Sequence, residues 1–122
     1  MKFYSSCFSR VEKEKKENVV YVSISLWDKK VWKGYRLRSL NPSESILMEY
    51  KNGGSWGRYV ERFKKEILDK KDCREMVENL KSYFGEDKDV CFVCYEWSNE
   101  KCHRRLVGEW LLENGFEYLG EI

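Results

Sequence analysis

Two short runs hold most of the chain's reactive groups: Cys94-Tyr95-Glu96 and Cys102-His103-Arg104. Cys102 stands where a helix-like stretch begins. Unpaired N–H donors and the partial positive charge of a helix start favour a thiolate there. His103 is the only histidine of the chain, and histidine is the side chain best suited to acid–base work near neutral pH. Arg104 offers a planar fork of donors matched to carboxylate or phosphate. Glu96 can act as a base or as the partner of Arg104. Cys94 closes a strand-like run, and ligands of open α/β sheets bind outside the carboxyl ends of the strands.

Four arrangements of these groups are open. In one, they form an anion-binding catalytic pocket, with His103 as acid and base, Arg104 as anion clamp, Glu96 as base and Cys102 as reactive thiol. In another, Cys91, Cys94, Cys102 and His103 hold zinc. Against zinc, residues 91 and 94 are three apart on a strand and point to opposite faces. Adjacent ligands at 102 and 103 also depart from the usual zinc spacings. In a third, Cys94 and Cys102 form a disulfide joining a strand end to a helix start. In the last, the cysteines are small core residues and Glu96–Arg104 is a structural ion pair. Cys7, Cys73 and Cys91 taken singly read as core. Cys91 and Cys94 lie inside a strand, unlike a helix-start redox pair, so Cys102 is the better reactive thiol. The Walker phosphate loop, the dinucleotide glycine fingerprint and the H-E-x-x-H zinc pair are absent from the sequence. No nucleotide cofactor and no catalytic metal is expected.

The elements that must position these residues can be read from periodicity. Residues 18–26 form a strand whose first half is continuously apolar, as in a strand buried on both faces. Ser23 and Ser25 then share one face near its end and are candidate ligand contacts. Residues 27–42 read as an irregular connection, with Arg36 as a further candidate. Ser43 can cap a short helix that stops at Asn52-Gly53-Gly54, and Ser55 can cap the next. Trp56, Tyr59, Val60, Phe63 and Ile67 recur there at helical spacing. Asp72 and Glu75 resemble a capping box before a third helix that ends at Gly85. Residues 89–95 form a second strand and residues 101–113 a helix stopped by Asn114-Gly115. Residues 116–120 and 3–8 read as short strands. The order of elements predicts a single α/β domain over residues 1–122, a small and mostly parallel sheet covered by helices.

Composition narrows the classes. The chain has 122 residues and a mass of 14.8 kDa, one domain's length. With 16% aromatic residues it is no disordered chain. No apolar run approaches the roughly 18–20 residues of a membrane span, and the start lacks the apolar core of a signal peptide. A soluble cytoplasmic domain is expected, with no membrane partner. The net charge of +2 gives no basic surplus for nucleic acid. The mixed-sign residues 10–17 read as a solvated loop. Ala, Thr and Gln are absent, a pattern shared by hyperthermophile proteins and by A+T-rich genomes. In hyperthermophiles an intracellular disulfide can persist.

Three functional classes follow. The first is an enzyme or binder acting on an anionic small molecule, such as a nucleotide or phosphorylated metabolite, at residues 94–104. The second is a nucleic-acid-binding accessory protein using the basic and aromatic residues 29–38. The third is an interaction module in which Trp27, Trp32, Tyr95 and Trp97 line an interface. Whether the chain is an enzyme, and its oligomeric state, stay open at this level.

The Cys-x-Glu run and the following Cys-His-Arg at a helix start resemble the signature of the domain-of-unknown-function 488 (DUF488) family. Residues 20–25 resemble that family's first strand. Gly34-Tyr35-Arg36 with Leu40-Asn41-Pro42-Ser43 resembles its Leu-x-Pro-Ser element. Tyr50-Lys51-Asn52-Gly53, Trp56 and Tyr59 resemble its next stretch. The likeness spans residues 19–115. It implies a compact α/β domain whose marked residues gather at one site: Cys94, Glu96, Cys102, His103 and Arg104, with Ser23, Ser25 and Arg36 as secondary candidates. It implies no particular reaction.

Overall fold

The computed structural model describes residues 1–27 and 32–122. In chain order the elements are β1 (Phe3–Cys7), α1 (Phe8–Lys13), β2 (Val19–Ser23), β3 (Tyr35–Arg36), α2 (Glu44–Lys51), α3 (Trp56–Glu66), α4 (Cys73–Phe84), β4 (Asp89–Cys94), α5 (His103–Glu113) and β5 (Tyr118–Glu121). Among the described residues the strands form one five-stranded sheet in the order β3-β2-β4-β1-β5. Every pairing is parallel. The α/β expectation therefore holds, and the sheet is wholly rather than mostly parallel.

The apolar runs of β2 and β4 follow from their central places, since both faces of these strands are covered. Phe3, Val22, Val90 and Phe92 face the helices and pack with Ile46, Phe63, Val77, Val107 and Leu111. Tyr21, Cys91 and Val93 face the other way, under Phe8, Val11 and Trp32. Helix starts form where side chains can satisfy orphan N–H groups. The Ser43 hydroxyl accepts from the Ile46 N–H at 3.2 Å, that of Ser55 from Arg58 at 3.1 Å, and the Asp72 carboxylate from Glu75 at 3.1 Å. Gly85, with φ of 101°, ends α4 in a conformation that L side chains resist.

Four elements differ from the sequence reading. The charged stretch from residue 10 is not all loop, because α1 covers Phe8–Lys13. Only Phe8 and Val11 are buried there, too little periodicity to mark a helix, and packing on Trp32 supplies the rest (ring centroids 5.1 Å). The connection 27–42 contains β3, which pairs Arg36 with Ser23, and a 3-10 turn at Arg38–Leu40. Strand β2 stops at Ser23 instead of running to residue 26. The Ile24 N–H still reaches the Val93 carbonyl at 3.0 Å before the chain departs. At the C-terminus, Phe116 precedes β5 and packs edge-on against Phe3. No helix among the described residues is long and apolar enough to cross a membrane.

Candidate functional site

Strand β4 ends at Cys94 and helix α5 starts just after Cys102, its N-cap residue. The strand end and the helix start bring the two sulfurs to 2.6 Å. Both residues are buried. Val90 and Phe92 lie on the helix-covered face and Cys91 on the opposite one, and Cys94, two residues past Phe92, shares the first face by the strand period. Cys91 is thereby removed from any shared site with Cys94, as the strand period requires.

Arg104 has no exposed surface. Its Nε donates to both carboxylate oxygens of Glu121 at 3.1 Å, and Nη2 donates to Glu121 Oε1 at 2.8 Å and to the Trp97 carbonyl at 3.2 Å. Nη1 donates to the Glu96 carbonyl at 2.6 Å, to Cys94 Sγ at 3.2 Å and to Cys102 Sγ at 3.5 Å. All three nitrogens of the fork are engaged within the protein. Arg104 is therefore not placed as a clamp for an external anion; it clamps the sulfurs. The expected Glu96–Arg104 ion pair is replaced by Arg104–Glu121, and Glu96 contributes its backbone carbonyl to the guanidinium while its side chain is exposed.

His103 is buried beside the sulfurs, with the Phe63 ring edge-on to its imidazole at 5.5 Å. Its Nε2 lies 2.6 Å from the Ile24 carbonyl oxygen. A carbonyl only accepts, so Nε2 carries a proton and donates. Nδ1 is left facing Cys102 Sγ at 3.8 Å.

Electrostatics separate the two thiols. The hydrogen bond from Cys94 lowers the Cys102 thiol well below its ordinary range against the cost of burial, and His103 and Arg104 act in the same direction. Burial and then the neighbouring Cys102 raise Cys94. Cys102 is therefore the more acidic thiol of the two and Cys94 the less acidic. Burial pushes the Glu121 carboxyl up, but hydrogen bonds from Arg104 and Ser5 outweigh it and hold the group below the usual carboxylate range.

Glu121 is the partner of Arg104 that sequence reasoning missed. Phe3 pairs with Tyr118 but Ser5 with Glu121, so β5 carries an extra residue between them. Gly120 lies in that bulge with φ of 94°. In a regular strand, residues 118 and 121 would face opposite sides. The bulge turns both toward Ser5, whose hydroxyl lies 2.5 Å from the Tyr118 hydroxyl and donates to Glu121. An isolated glycine in a strand pattern beside an acid was the available signal.

The sulfurs and His103 lie under a cleft of about 650 Å3, which Ser25, Trp56, Tyr59, Tyr95 and Glu96 also line. Ser23 is buried, and its hydroxyl accepts the Ser25 N–H at 3.3 Å, so it shapes the turn beneath the cleft. Arg36 lies elsewhere, on a separate cleft with Tyr83 and Phe84, and Nη2 donates to the Trp32 carbonyl at 2.9 Å. Of the basic connection, Lys29, Lys30 and Val31 lie outside the described residues. Of the four aromatics that the interaction-module reading would place on an interface, Trp32 is buried, whereas Trp27, Tyr95 and Trp97 are exposed. Cys94, Cys102 and His103 place two sulfurs and a ring nitrogen within 4.8 Å of one another, a donor set suited to a soft ion. Arg104, hydrogen-bonded to both sulfurs, already supplies positive charge at that point.

Fold and site together define a parallel α/β domain with a buried dithiol at the carboxyl ends of its strands. The chain belongs to the DUF488 family: the DUF488-N3a model, described as an active DUF488-N3 subclade, matches residues 7–115. The match takes in both halves of the sulfur site and starts ahead of residue 19, where the sequence likeness was placed. Comparison with curated proteins and with solved structures gives no match.

Proposed function

We propose that the chain is a thiol-dependent enzyme, in which Cys102 Sγ is the nucleophile facing an anionic small molecule held in the cleft and Cys94 is its partner thiol. One observation carries the reading: two sulfurs 2.6 Å apart beneath a cleft, with a wholly buried arginine hydrogen-bonded to both. Such a constellation keeps one sulfur nucleophilic and the other as a proton reservoir. Arg104 is a positioning residue, holding negative charge on sulfur. His103 Nδ1 takes or returns a proton at Cys102. With Arg104 saturated, recognition of a substrate anion falls to Lys51 and Lys101, exposed residues that line the same cleft.

The test is the rate of iodoacetamide labelling, site by site, read by peptide mass spectrometry. Labelling of Cys102 ahead of the other four cysteines, and faster than a free peptide thiol at neutral pH, is expected; Cys102→Ser removes the fast phase. Slow and even labelling of all five would sink the reading.

A further inference from the structure

We propose that the cleft over Cys102 binds a nucleotide, free or at the end of a nucleic-acid strand, with its base against an aromatic wall and its phosphate on Lys51 and Lys101. The inference rests on the cleft being the substrate site and adds the substrate class.

The wall is already built. Trp56 and Tyr59 stack at 4.8 Å with planes 16° apart, and the Tyr50 ring meets both edge-on, at 5.6 and 5.5 Å. The stack continues inward through Phe63, which packs on His103. The aromatic wall is thereby tied to the reactive end of the cleft. Trp27, half exposed, stands on the same cleft with Lys51 Nζ 5.7 Å from its ring. Tyr59 is buried between Trp56 and Phe63, so the rings left to meet a base are Trp56 and Trp27, and a ring held by its neighbours loses little freedom on binding.

The charges select among planar and sugar-like ligands. Lys51 and Lys101 are the lining residues with permanent positive charge, and Glu96 is the acid among them. A neutral sugar gives two lysines nothing to bind. A small phosphorylated metabolite leaves the aromatic wall unused. A nucleotide uses both and leaves Glu96 to accept from a ribose hydroxyl or an exocyclic amine. The volume of about 650 Å3 falls in the range of sites that enclose ligands of this size.

The experiment is a titration of the full chain with AMP and with UMP, read by tryptophan fluorescence, with ribose 5-phosphate and adenosine as the half-ligands. AMP and UMP are expected to bind, and each half-ligand to bind at least about tenfold more weakly. Trp56→Leu and Lys101→Glu are each expected to weaken AMP by a similar factor. Lys101 is exposed, so that variant keeps the test meaningful should Trp56→Leu fail to fold. A 5′-phosphorylated oligothymidylate binding more tightly than UMP assigns the ligand to a strand end; weaker binding assigns it to the free nucleotide. No binding of either nucleotide, ribose 5-phosphate binding as tightly as AMP, or indifference to Lys101→Glu would overturn the proposal. Thiol labelling is measured separately. Binding without fast labelling fails only the thiol reading, and fast labelling without binding fails only this one.

Discussion

Arg104 and Glu121 form the ion pair on which the sulfur site rests: the guanidinium is fully buried, and its Nη2 donates to Oε1 at 2.8 Å. Arg10 adds a second contact to the same oxygen at 2.5 Å. Two arginines on one carboxylate leave one formal positive charge beside the sulfurs, which favours negative charge on a thiol there. The pair joins the start of α5 to the last strand, and the bulge at Gly120 turns the carboxylate toward it.

Glu121→Ala leaves a buried guanidinium without its carboxylate. Breaking a buried pair by removing one partner costs about 3–5 kcal/mol; because the Glu121 side chain is about one-fifth exposed, a loss of about 3 kcal/mol is expected. Urea unfolding measures it. A loss within ordinary surface scatter would show that Arg104 finds another counterion.

The lowered Glu121 carboxyl has a pH signature. Its folded-state pKa lies below its ordinary value of 4.5, so the unfolded state binds the proton more readily. The stability it contributes is fully present above that ordinary value and is lost as pH falls through the lowered folded-state pKa. Stability against pH should therefore fall less on the acid side in Glu121→Gln than in the parent chain. Parallel acid limbs in the two proteins would contradict this.

Labelling of Cys102 should follow a thiolate that forms well below the ordinary thiol value of 9.0. The Cys94 hydrogen bond is the chief cause, so Cys94→Ala should move the rate profile to higher pH and slow labelling at neutral pH. Cys73, pushed up to about 11 by burial, and Cys91, raised further by the same cause, should stay unlabelled. A profile for Cys102 centred at the ordinary value, unchanged by Cys94→Ala, would refute the pairing.

Gly108 lets α5 press against β5. A Cβ there would lie 2.4 Å from two carbons of the Tyr118 ring. Gly108→Ala gains about 1 kcal/mol of helix propensity, but such overpacking costs about 1–3 kcal/mol. Net destabilisation of about 1 kcal/mol is expected, read by urea unfolding. Slower Cys102 labelling should accompany it, because Tyr118 and Glu121 share one strand. A stabilised variant with unchanged labelling would show that the ring simply moves aside.

Local chemistry made much of this protein legible in its sequence. Ser43, Ser55 and Asp72 are caps because a short polar side chain reaches N–H groups three residues on, wherever the helix later packs. The opposite facing of Cys91 and Cys94 follows from the strand period alone, and a strand end followed by a helix start puts Cys94 near Cys102 in any parallel α/β chain. Tertiary structure decided the rest. Helix α1 and the burial of Trp32 exist because Phe8, Val11 and Trp32 pack together on one face of the sheet, which no local pattern encodes. Glu96 stands eight residues from Arg104 and Glu121 seventeen, yet the carboxylate that binds the guanidinium is the distant one. That choice depends on β5 adding beside β1 with a one-residue bulge, a long-range register that sets which face Glu121 occupies.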